Sequence, residues 1–84
     1  MFWHVYIIEC SDGKLYTGIT NNLKRRIREH SDGIGCKFTK CRIPVILRYN
    51  KSVNSRSEAL KEEAKIKVLP RLKKVELIKR MGRI

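Results

Sequence analysis

Apolar and polar positions divide the chain into six structured segments. Residues 3–10 (WHVYIIEC) are rich in β-branched and aromatic side chains and predict a strand. Ser11-Asp12-Gly13 follows, and residues 14–20 (KLYTGIT) predict a second strand. A three-residue loop with Gly13 in the left-handed conformation is a common hairpin connection. It sets Ile8 opposite Tyr16 and Tyr6 opposite Gly18, with both tyrosines on one face. A two-residue Asp12-Gly13 turn would put them on opposite faces.

Asn21 or Asn22 is placed to cap a helix reaching about Ser31, which Gly33 ends. At ~100° per residue, Leu23 and Ile27 form its apolar stripe. Arg26 and His30, one turn apart, lie beside that stripe, while Lys24, Arg25 and Arg28 point elsewhere. Residues 31–43 form a basic, glycine-containing loop. Pro44 precedes a third strand at 45–49 (VILRY), and a polar stretch begins at Asn50. Ser55-Arg56-Ser57-Glu58 matches a capping box, opening a helix that runs to about Leu69 and stops at Pro70. A basic amphipathic helix over about 71–81 has Leu72, Val75, Leu77, Ile78 and Met81 as its apolar positions. The order β-β-α-β-α-α, without repeat or linker, predicts one α+β domain over residues 1–84.

Charge changes the picture most. Twenty Lys and Arg stand against eight Asp and Glu, a formal net charge of +12 on 84 residues. Self-repulsion opposes compaction, so a polyanionic partner is the natural explanation, although a generally basic proteome or ribosome association would produce the same balance. Charge says nothing of catalysis. No apolar run approaches the ~20 residues of a membrane-spanning helix, and the start lacks a secretory pattern, so the expected compartment is the cytoplasm. Three cysteines without framework spacing fit a reducing environment; Cys36 and Cys41 do not form a zinc set.

Phosphodiester hydrolysis needs a positioned water, a base, and positive charge around the phosphate, part of which a divalent metal on oxygen ligands commonly supplies. Glu63 is the best-placed carboxylate: it falls within the apolar face Ala59, Leu60, Ala64 and Ile66, whereas Glu58 and Glu62 lie toward solvent and the rim. The bland alternative is an ion pair with Arg26 or a neighbouring Lys. Arg26 offers a permanent planar charge and His30 a proton shuttle near neutral pH; otherwise they are only a basic helix edge. Tyr6 and Tyr16 are either cross-strand packing or phenols activated by nearby cations. Trp3, His4 and Tyr49 read as structural.

Together, Val5-Tyr6, Tyr16-Thr17-Gly18, Arg26 and His30 on the next helix, and Glu63 resemble the GIY-YIG nuclease superfamily. The name-giving motifs here read His4-Val5-Tyr6 and Tyr16-Thr17-Gly18. The resemblance extends over nearly the whole chain and looks closest to small single-domain bacterial and archaeal members, through DGKLYTGIT, LKRRIREH, GCKFTK and SRSEAL. It implies a three-stranded antiparallel sheet flanked by three helices and a metal-dependent endonuclease. Glu63 would anchor one Mg²⁺ or Mn²⁺, and Arg26 would stabilise the scissile phosphate. Tyr6 and Tyr16 would position or deprotonate water, with Tyr16 favoured as base, and His30 would assist by proton transfer or phosphate contact. None of the motif departures (His4, Val5, Thr17) removes a functional group. Ile19 stands where some repair relatives carry a lysine, for which Lys14 and Lys37 are candidate substitutes. Lys14, Arg25, Lys37 and Lys40 are assigned to nucleic-acid contact. The expected partner is nucleic acid, DNA above RNA and structured or damaged DNA in particular, with a protein partner to supply substrate choice. The competing expectation is a non-catalytic basic module that keeps the fold.

Overall fold

A computed structural model describes residues 2–34 and 43–82. Strands β1 (Trp3–Glu9), β2 (Leu15–Thr20) and β3 (Ile46–Val53) and helices α1 (Leu23–Ser31), α2 (Arg56–Lys67) and α3 (Arg71–Gly82) follow one another as β-β-α-β-α-α. The sheet is antiparallel in the order β2-β1-β3. Val5 to Ile8 are all buried, because the central strand is covered on both faces.

The hairpin has the longer loop. Gly13 takes φ of 85°, its N–H donates to the Cys10 carbonyl, and Ile8 pairs with Tyr16 and Tyr6 with Gly18. Tyr6, Ile8, Cys10 and Val45 form the core on one face, joined by Tyr16, Leu23, Ile27 and Leu47. Val5, Ile7, Ala59 and Ile66 form the other, joined by Trp3, Leu15, Ile19, Tyr49, Val53, Leu77 and Ile78. Helix α1 therefore covers the tyrosine face, and α2 and α3 cover the opposite one.

Three features differ from the sequence pattern. Strand β3 continues through Asn50, Lys51 and Ser52 to Val53, since the first half of β1 offers backbone partners from Trp3 to Tyr6. Arg48 falls in a bulge, where pairing steps from Ile7–Tyr49 to Ile8–Leu47. On α2, only Ala59 and Ile66 are buried; Leu60 and Ala64 are exposed. Apolar residues occupy both sides of that helix, so periodicity alone did not choose the inward one. On α3, Leu77 and Ile78 pack against the core and Leu72 is exposed.

The helix ends follow local chemistry. Asn22 caps α1 by accepting from the Arg25 N–H, and Gly33 follows at φ of 78°. Ser55 caps α2 by accepting from the Glu58 N–H. The Glu58 carboxylate accepts from the Asn54 N–H, one residue earlier than in a reciprocal capping box. Among the described residues no helix is long and apolar enough to cross a membrane.

Candidate active site

On the tyrosine face, alternation along β1 and β2 brings Tyr6, Tyr16 and Gly18 together. A Cβ at position 18 would stand 2.5 Å from the Tyr6 hydroxyl oxygen and 2.7 Å from its Cζ. The Tyr6 ring thus occupies the volume that any larger residue on β2 would need. Small opposite large was readable once the hairpin register was known, yet sequence reasoning did not assign Gly18 a part in the site.

Helix α1 closes this face. His30 is completely buried, with 0% exposure, rather than beside the apolar stripe. Its Nε2 lies 3.0 Å from the Tyr6 hydroxyl. Its ring meets Tyr6 edge-on at 5.8 Å and Tyr16 at 5.4 Å between centroids. Burial, chiefly, and then the nearby Arg26 charge push the His30 pKa below its ordinary value, with Glu29 opposing. The imidazole is therefore neutral at pH 7, and a side chain so enclosed does not touch a phosphate directly.

Arg26 stays partly open, its side chain 30% exposed. Burial disfavours its charge, but hydrogen bonds to the Tyr6 hydroxyl and the Glu29 carboxylate outweigh that cost and raise its pKa. The Glu29 bond is 3.0 Å from Nη1 to Oε1. Glu29 is a site residue that sequence reasoning missed; its signal was the i, i+3 spacing from Arg26. Tyr6, only 1% exposed, lies behind Arg26 and Tyr16, and Tyr16 is half-buried.

Glu63 comes from α2, on the other side of the sheet. Its side chain is 18% exposed and pairs with Lys67 at 3.4 Å. Glu62, on the same inward half of the helix, pairs with Lys51 of β3 at 3.5 Å. One residue later, ~100° round the helix, Glu63 falls on the side toward β2. Because β2 is an edge strand, Tyr16 on one face and Glu63 above the other both lie toward the same rim.

The residues present fit a hard divalent ion in one manner. No group of three or more His, Cys, Asp or Glu suited to a metal occurs among the described residues. A multi-carboxylate cage is thereby absent there. A single half-buried carboxylate, with water and phosphate oxygens completing the shell, is an arrangement Mg²⁺ accepts. Of the cations expected to meet nucleic acid, Lys14 and Arg25 are exposed, Arg25 within 3.9 Å of Glu29. Lys37 and Lys40 lie outside the described residues, as do Cys36 and Cys41.

The fold is that of a small α+β domain of the nuclease-like type. The chain belongs to the GIY-YIG catalytic domain family, whose sequence profile matches residues 2–75. Domains of this family are typically endonucleases that bind nucleic acid and generally use divalent metal ions. A UPF0213 protein of Halobacterium salinarum is 51% identical over 74 residues, covering 88% of this chain and 96% of its own. One from Streptococcus agalactiae is 46% identical over 76 residues, covering 90% and 86%. The solution NMR structure of a UPF0213 protein from Bacillus halodurans matches with a TM-score of 0.64 at 41% identity, covering 98% of this chain and 87% of that one. A second NMR structure, of a protein from E. faecalis, matches at 0.65 and 35% identity, covering 100% and 90%.

Proposed function

We propose that residues 1–84 act as one divalent-metal-dependent endonuclease domain that hydrolyses phosphodiester bonds in DNA, at structured or damaged sites of the kind met in repair. The observation carrying this reading is the graded exposure of the converging side chains. Tyr16 and Arg26 reach solvent, while Tyr6 and His30 stand fully buried behind them.

That grading divides the work. Arg26, held by Glu29 and Tyr6, presents its flat guanidinium to a phosphate oxygen without first having to be ordered. Tyr16, the phenol that reaches solvent on this face, is the one placed to take a proton from water. Tyr6 and His30 hold Arg26 and Tyr16 in place and keep water from behind them. Glu63 would hold Mg²⁺ or Mn²⁺, which when bound supplies positive charge to the phosphate. Binding of this +12 chain would rest mainly on phosphate contacts, so choice of target falls to nucleic-acid shape or to a protein partner.

The test is incubation of the purified chain with Mg²⁺ or Mn²⁺ and single-stranded, duplex, flap and junction substrates. The expected result is metal-dependent cutting that Glu63→Ala abolishes while DNA affinity survives. Unchanged cutting by that variant removes Glu63 from its role. Binding without cutting by the natural chain would make this a basic binding module on a nuclease scaffold.

A further inference from the structure

Thr17 is the middle residue of the Tyr16-Thr17-Gly18 motif, and its neighbours both face the tyrosine side of the sheet. Alternation sends Thr17 the other way, between Leu15 and Ile19, which pack against the cluster containing Ala59 and Ile66. It is 4% exposed, and among the described residues its Oγ1 is the buried side-chain oxygen or nitrogen without a hydrogen-bond partner. An apolar residue of the same shape would fill this position without that penalty, since a buried hydroxyl left unpaired costs free energy. An oxygen kept there at a cost points to a partner that arrives in another state of the site.

Glu63 is the acceptor the geometry offers. It lies one helical turn from both Ala59 and Ile66, on the flank of α2 turned toward β2, above the strand that carries Thr17. Its carboxylate is now drawn to Lys67 at 3.4 Å, a side chain itself more than half exposed and easily released. We propose that Thr17 is a positioning residue: when Glu63 leaves Lys67 to bind a divalent cation, the Thr17 hydroxyl donates to the carboxylate and fixes which oxygen faces the metal. This inference rests on the reading of Glu63 as metal ligand. Such outer partners orient a ligating carboxylate and keep it from swinging away.

The probe is Mn²⁺ alone, titrated into the full chain and followed by its electron paramagnetic resonance signal, so that cleavage is not the readout. Glu63→Gln sets the reference and should abolish the tightest binding. Thr17→Val, which keeps the shape and removes the hydroxyl, should weaken Mn²⁺ binding about ten-fold. Thr17→Ser should restore it, and the Thr17→Val chain should melt at or above the natural temperature. Natural affinity in Thr17→Val, with Glu63→Gln defective, overturns the positioning role and leaves Glu63 as ligand. Natural affinity in Glu63→Gln overturns both readings. A loss that Thr17→Ser does not restore also overturns the positioning role, since packing rather than the hydroxyl would then be responsible.

Discussion

At the scale of single residues, the tightest relationship is the one between His30 and the two phenols. A lowered histidine pKa ties stability to pH with a definite sign. The unfolded chain binds a proton near the ordinary value of about 6.5, whereas the folded chain resists it to a lower pH. Folding is thus fully supported above about 6.5 and loses that support as pH falls through and below this value. The melting temperature should drop between pH 7 and pH 5, and His30→Gln should flatten that slope; an equal slope in the variant would assign the acid sensitivity elsewhere. Tyr6, by contrast, depends on what is missing from the strand beside it. Gly18 leaves the space that lets its hydroxyl reach His30. That dependence was invisible until strand register was combined with side-chain volume.

At the scale of elements, short-range chemistry made most of the fold legible. Asp12-Gly13, Asn22, Gly33, Ser55 and Pro70 each punctuate the chain for a local reason, and the elements begin and end near them. Ser55→Ala should cost about 1 kcal/mol through the lost bond to the Glu58 N–H. In a chain of this size that lowers the melting temperature by about 4–8 °C, which a thermal scan would read directly. Legibility failed where local pattern was ambiguous. Lys51 and Ser52 read as loop because they are polar, yet they continue an edge strand whose outer side chains are free to be so. Helix α2 has apolar residues on two sides, and it is the burial of Ala59 and Ile66, with the Glu62 link to Lys51, that shows which way it is turned. His30 read as a helix-edge residue from its place one turn after Arg26, beside the Leu23–Ile27 stripe; the tyrosines enclosing it come from two strands, which periodicity along a helix does not report.

For the whole molecule, positive charge is spread over both sides of the sheet. Arg25, Arg26 and Arg28 lie on α1, whereas Lys61, Lys65 and Lys67 lie on α2 and Lys73, Lys74, Lys79 and Arg80 on α3. Affinity for DNA should therefore come chiefly from released counterions. A chain making six to ten phosphate contacts would lose about 10³–10⁵ in affinity between 50 and 200 mM salt. Fluorescence anisotropy with a labelled duplex would measure that slope, and a flat response would remove backbone charge as the source of binding. The candidate site was legible as a set of residue types. Its layout was not: no period in the sequence says that the carboxylate and the tyrosines stand on opposite faces of the sheet.

The position of β2 at the margin of the sheet carries a further implication for assembly. Among the described residues no strand pairs with its outer side, and the backbone amides and carbonyls there form a template on which a foreign strand could seat itself. A strand docked there would cover the rim beside Tyr16, through which a phosphate would enter under the proposed function. The opposite rim carries its own deterrents, a bulge at Arg48 and the exposed charge of Lys51. Sheet growth from molecule to molecule is thus discouraged by shape and charge at the β3 margin, whereas β2 (LYTGIT) carries neither a charge nor a bulge.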